Sequence, residues 1–197
     1  MEEEILLDVV AAGYETINIA SNVGANTIKD LDVTAAENIV ITGAKNLTLS
    51  DVDMEEQSST EVSKVDASGL TGKLTMTMSN NEGDQTITGG SNDDSITMGY
   101  ASVDTDDTIT GGAGTDTLRI AADVAATDSA WSLVTGFEEV TMLEDSDNVS
   151  AATFTDAFVG AQDSDTVTLN LTGSTDVVTV SAALSSANTL ILSDAGG

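Results

Sequence analysis

Gly111-Gly112-Ala113-Gly114-Thr115-Asp116-Thr117-Leu118-Arg119 packs three glycines and a carboxylate into six residues, then closes on an aliphatic flanked by polar residues. Gly89-Gly90-Ser91-Asn92-Asp93-Asp94-Ser95-Ile96-Thr97 repeats the frame, with Asn92 at the third glycine position. Asparagine is the usual replacement for glycine where φ must be positive. Two weaker frames keep the phase. Residues 102–110 retain Asp107 and Ile109 without the glycines, and residues 80–88 retain Gly83 and Ile87 but carry Gln85 at the acidic position. Such a frame suits one chemistry above others. Its glycines let backbone carbonyls converge on a point, and its aspartate sends a carboxylate to the same point. A hard cation of the calcium type wants six to eight oxygens at about 2.3–2.6 Å, and carbonyls with carboxylates supply them.

The last three positions of each frame read as a short strand with its aliphatic turned inward, and the first six as a turn. Two frames would then complete one coil, so 89–97 stacks on 111–119, and 80–88 on 102–110. The first pair should hold the better cation site, with Asp94 and Asp116 as anionic ligands. Carbonyls of Gly89, Gly90, Gly111, Gly112 and Gly114 complete it, with Asn92 in the glycine place. In the second pair Asp107 is the main candidate and Asp84 a helper. The competing reading is a set of ordinary glycine-rich turns bearing solvated aspartates. The clusters Asp51/Asp53, Asp145/Asp147 and Asp163/Asp165 lack the glycine framework and read as solvated faces.

Positioning these frames requires stacked strands, and the chain supplies them. Segments alternating an aliphatic with Thr, Ser or Asn recur at Thr16–Ile19, Asn38–Thr42, Asn46–Ser50, Lys73–Met78, Thr117–Ile120, Glu139–Leu143, Thr166–Leu171, Val177–Val180 and Thr189–Leu192. Period-2 alternation marks half-buried strands, and their regular recurrence suggests a sandwich, barrel or solenoid. Helix signals are sparse: an Ala-rich stretch at 121–134, and Phe154 with Phe158 at helical spacing within 151–161. Trp131, Phe154 and Phe158 read as core or end-packing residues, and Met54 to Ser63 as a polar surface loop. The expected fold is all-β, a right-handed parallel β-helix or β-roll of roughly 20 residues per coil. It should run continuously over 1–197 as a segment of a longer protein.

Composition narrows the function. Five Lys+Arg stand against 34 Asp+Glu, for a net charge of −29, and there is no His, Cys or Pro. Triads, Cys–His pairs, thiolate clusters and disulfides are therefore excluded. So few cations make no phosphate-tracking surface, which excludes nucleic acid and argues against anionic membranes. No apolar run approaches the ~18–20 residues of a membrane span, so membrane insertion is not expected. The acidic opening Met1-Glu2-Glu3-Glu4 is unlike a secretory n-region. With only six aromatic residues (three Phe, two Tyr, one Trp), the core must be built from Val, Ile, Leu, Ala and Thr.

On the frames at 80–119 the chain resembles the RTX calcium-binding repeat family, and more narrowly the bacterial surface-layer proteins of RTX type. The phrases Val65-Asp66-Ala67-Ser68-Gly69-Leu70-Thr71-Gly72-Lys73-Leu74-Thr75 and Gly136-Phe137-Glu138-Glu139-Val140-Thr141 are similar to segments that recur in those proteins and in large adhesins. The resemblance implies a parallel β-solenoid, type I secretion without an N-terminal signal, and calcium-dependent assembly at the bacterial cell surface. Self-association into a lattice or filament, through open solenoid ends or calcium bridges between acidic faces, and a cell-surface polysaccharide partner are further expectations. The expected role is structural, not enzymatic. The alternative is the calcium-binding C-terminal region of a type I-secreted protease or lipase. A β-helix polysaccharide enzyme fits less well, because Arg119 is the single arginine. Few perfect nonapeptides and no catalytic partner domain separate the chain from the toxin and protease branches.

Overall fold

β-branched and aliphatic residues at every second position favour extended chain with one face to bury. A computed structural model describes residues 6–11, 13–33, 37–54, 62–79, 83–98, 103, 105–120, 133–142, 153–154, 158–159, 161–162, 166–170, 179–180 and 189–193. The strands alternate between two sheets. One sheet has nine strands in the order β1 (Leu6–Val10), β3 (Asn26–Asp32), β5 (Leu47–Asp53), β7 (Leu74–Ser79), β9 (Ser95–Met98), β11 (Thr117–Ile120), β13 (Glu139–Met142), β15 (Thr166–Asn170) and β17 (Thr189–Ser193). The other has six: β2 (Thr16–Ser21), β4 (Asn38–Gly43), β6 (Ser63–Leu70), β8 (Gln85–Thr88), β10 (Thr108–Thr110) and β12 (Val134–Thr135). A short parallel pair, β14 (Thr153–Phe154) with β16 (Thr179–Val180), forms a third. Within each sheet, hydrogen-bonded neighbours are parallel and two places apart in the chain, so the chain is a parallel β-solenoid.

Register places like on like. Leu49, Met76, Ile96, Leu118, Val140 and Leu169 form one inner column of the larger sheet. Ile39, Val65, Ile87, Ile109 and Val134 form its counterpart across the interior. All of these are 0–1% exposed. Each buried aliphatic is worth about 1.5–3 kcal/mol relative to exposure, so these columns are the main cohesive force. The outer face carries Thr75, Ser95 and Thr117 in register, and Thr77 beside Thr97. These two columns are filled by aliphatics and methionine, in keeping with the scarcity of aromatics, although Phe137 and Phe158 are also buried in the core.

Two expectations change. Met54 is buried at 1% and Ser63 opens β6 at 4% exposure, so the polar loop expected over 54–63 is anchored at both ends in the core. The positions between them, 55–61, lie outside the described residues, as do Trp131 and the Ala-rich stretch up to residue 132. Phe154 sits in β14, while Phe158 and Val159 are helical and buried, so the two phenylalanines do not share one helix.

Candidate metal centre

The glycine frames stack as their spacing requires. Ser95 pairs with Thr117 and Ile96 with Leu118, while Thr86 pairs with Thr108 and Ile87 with Ile109. One register place before Ser95, Thr117 and Glu139 in the larger sheet, a further column runs along the corner. On the flanking rungs its occupants are Leu47, Leu74 and Val167, each buried at 0–1%. On three successive rungs between them the column holds Asp94, Asp116 and Glu138. Asp94 and Asp116 are each only 1% exposed.

A carboxylate in a leucine position is costly unless hydrogen bonds replace its water. Here each one caps the backbone of the preceding rung. The Leu74 amide donates to Asp94 Oδ1 at 2.7 Å, the Asp94 amide to Asp116 Oδ1 at 2.7 Å, and the Asp116 amide to Glu138 Oε2 at 2.7 Å. The Gly90 amide fills the second oxygen of Asp94 at 2.5 Å. Asp116 has no such help. Its Oδ2 is buried with no hydrogen-bond partner among the described residues. The counterpart of Gly90, Gly112, adopts φ +109° and its amide does not reach that oxygen.

Glycine is obligatory at this corner for reasons of space. A Cβ on Gly89 would be driven into the Gly111 carbonyl oxygen and would sit 3.1 Å from Asp94 Oδ2. One rung on, a Cβ on Gly111 would be driven into the Gly136 carbonyl oxygen and would sit 2.8 Å from Asp116 Oδ2. A carbonyl and a carboxylate oxygen thus flank each of these α-carbons. Gly114, at φ +140°, lies directly over Asn92, whose carbonyl oxygen would be 2.8 Å from an added Cβ. Asn92 itself is exposed and uses Oδ1 to accept the Asp93 amide.

Burial, ahead of every other cause, raises the Asp94 carboxyl above the ordinary carboxylate range; amides of Leu74 and Gly90 and the charge of Lys73 oppose it. Asp116 is pushed up to about 6, chiefly by burial, with Asp94, Glu138 and Asp93 adding repulsion against the single opposing amide of Asp94. The second expected pair is weaker. Asp107 is buried and its Oδ1 accepts the Gln85 amide at 2.8 Å, but Asp84 is only half-buried and presents its backbone carbonyl to Ser63. Structure therefore brings Asp107 to Gln85, the neighbour of Asp84. Of the other acidic clusters, Asp51 is exposed and Asp53 half-buried, whereas Asp145, Asp147, Asp163 and Asp165 lie outside the described residues.

Glu138 and Gly136 were not singled out by the glycine frames. A signal existed: Glu138 follows Asp116 by 22 residues, the same step that separates Asp116 from Asp94. Gln162 closes the next turn without charge, accepting from the Phe137 amide at 2.8 Å and donating to the Val134 and Phe158 carbonyls. Among the described residues no group of three or more carboxylates is gathered as a metal cluster, so a cation here must draw on backbone carbonyls. The donor set fits a hard cation on one observation, the buried unpartnered oxygen of Asp116 beside glycine carbonyls. No family model, curated protein or solved structure matches the chain.

Proposed function

We propose that the chain is a calcium-binding structural segment of an extracellular surface-layer or adhesin-like protein of the RTX type, whose solenoid is consolidated when calcium enters the carboxylate corner. The observation that carries this reading is the replacement of leucine by Asp94, Asp116 and Glu138 on consecutive rungs, with one buried oxygen left unpartnered. Asp94, Asp116 and the carbonyls of Gly89, Gly90, Gly111, Gly112 and Gly114 would hold the ion, and Asp107 a weaker second one. Bound calcium supplies the positive charge that this corner lacks. Without it, burial and mutual repulsion set the carboxylates against folding, in a chain whose net charge is already −29. A cation that binds the folded form alone draws the equilibrium forward by mass action. Such a chain would stay loose where calcium is scarce and set where it is plentiful, as outside a cell. Assembly into a lattice or filament would follow the same trigger.

Thermal unfolding followed by circular dichroism tests the reading. From metal-free buffer to millimolar calcium the midpoint should rise by about 5–10 °C, as expected for a ligand at about a hundredfold its Kd. Magnesium at the same concentration should do much less. A midpoint that calcium leaves unmoved would refute calcium binding as the basis of the fold.

A further inference from the structure

We propose that the tightest cation site at this corner lies one rung beyond the paired glycine frames, between the 111–116 turn and the turn from Gly136 to Glu138, with Asp116 Oδ2, the Gly136 carbonyl and the Glu138 carboxylate as its protein ligands for calcium. This placement rests on the calcium reading above and moves the site away from the frame pair that the motif spacing favours.

Four observations carry it. Both oxygens of Asp94 already accept backbone amides, so a cation drawing on Asp94 competes with the Leu74 and Gly90 N–H groups. Asp116 Oδ2 has no such commitment and is buried, so an ion there gains a ligand without breaking a bond. The Gly136 carbonyl oxygen and Asp116 Oδ2 flank the same Gly111 α-carbon, in space that only glycine leaves open. Charge agrees. Among the described residues, Lys73 partly offsets Asp94 against the repulsion of Asp93, whereas Asp94, Glu138 and Asp93, all anions, act on Asp116.

Glu138 is the remaining piece. Its turn, Gly136 to Glu138, is half the length of the turn from Gly111 to Asp116 below it, and Gly136 holds φ +70°. A glutamate is one methylene longer than the aspartate of the frames, and its Oε2 still reaches the Asp116 amide at 2.7 Å. It thereby brings a second carboxylate to within a hydrogen bond of the Asp116 backbone. Ala113, Gly114 and Thr115 of the same turn are exposed.

Calorimetric titration of the metal-free chain with calcium chloride tests the placement. Glu138→Gln keeps an oxygen for the Asp116 amide and loses the charge, so it should weaken the tightest binding step by about tenfold or more. Asp94→Asn should weaken that step less, and Glu139→Gln, one residue away on the outer face, should leave it unchanged. Far-UV circular dichroism of each metal-free variant checks the fold. If Glu138→Gln binds like the parent, or Asp94→Asn loses more, the ion lies between the glycine frames and the placement is overturned while the calcium reading stands. If the parent itself shows no saturable binding, the calcium reading falls and this placement with it. Independently of any variant, an anomalous peak beside Asp116 Oδ2 and Gly136 in a terbium-soaked crystal supports the placement. A peak beside Asp94 alone overturns it.

Discussion

On the calcium reading, Asp116 should carry opposite signs of stability with and without metal. A carboxyl whose folded pKa, about 6, exceeds its unfolded value of 3.8 binds more protons when folded. Its favourable contribution is therefore full below the unfolded value and is lost as pH rises towards 6. The Asp94 carboxyl shifts in the same direction. Metal-free chain should accordingly unfold at lower urea concentration at pH 7 than at pH 4.5, by about 1–2 kcal/mol. Saturating calcium should remove or reverse that slope, because the ion competes with the proton. Asp116→Asn isolates the residue: its amide can donate where Oδ2 had no partner. That variant should be more stable than the parent in metal-free buffer at pH 7, yet gain less from calcium. A variant less stable than the parent under those conditions would show that the buried charge is already compensated.

At the scale of the strand and its turn, glycine and aliphatic positions have separable costs. Gly111→Ala drives a methyl into the Gly136 carbonyl, a backbone atom that cannot step aside, and should cost about 2–4 kcal/mol in chemical unfolding. Ile96→Ala empties one place in the inner column and should cost about 2–5 kcal/mol, whereas Thr97→Ala on the outer face should change stability by under about 0.5 kcal/mol. Each alternating segment singled out in the sequence overlaps a strand, because inward aliphatic and outward Thr or Asn follow the pleat itself. β3 and β6 escaped because each interrupts that alternation. Lys29 and Asp30 in β3, and Ser68 and Gly69 in β6, are consecutive exposed residues, and β5 accommodates Ser50 and Asp51 in the same way. The glycine frames announced Asp94 and Asp116 as stacked neighbours. They did not announce Glu138, since its shorter turn drops most of the frame and keeps only the 22-residue step.

Taken whole, the molecule sets aliphatic cohesion against a net charge of −29. The ion pair of Lys64 with Asp66, at 4.0 Å and largely solvated, does little to offset it. Sodium chloride should therefore raise the metal-free unfolding midpoint gradually through screening, while calcium should do so at far lower concentration and with saturation. Equal responses to the two salts at matched ionic strength would reduce the effect to screening. Each rung touches chiefly its neighbours, so stability in such a stack is local and a weak rung stays weak. Leucine occupies the corner column at positions 47 and 74, valine at 167, and carboxylates the three rungs between. Under tension the rod would then behave as two stiff lengths joined by a coupling whose tightness is set by the surrounding salt water. A metal-free specimen pulled end to end should part first at that joint, and hardening it would take a change of medium with no change of sequence.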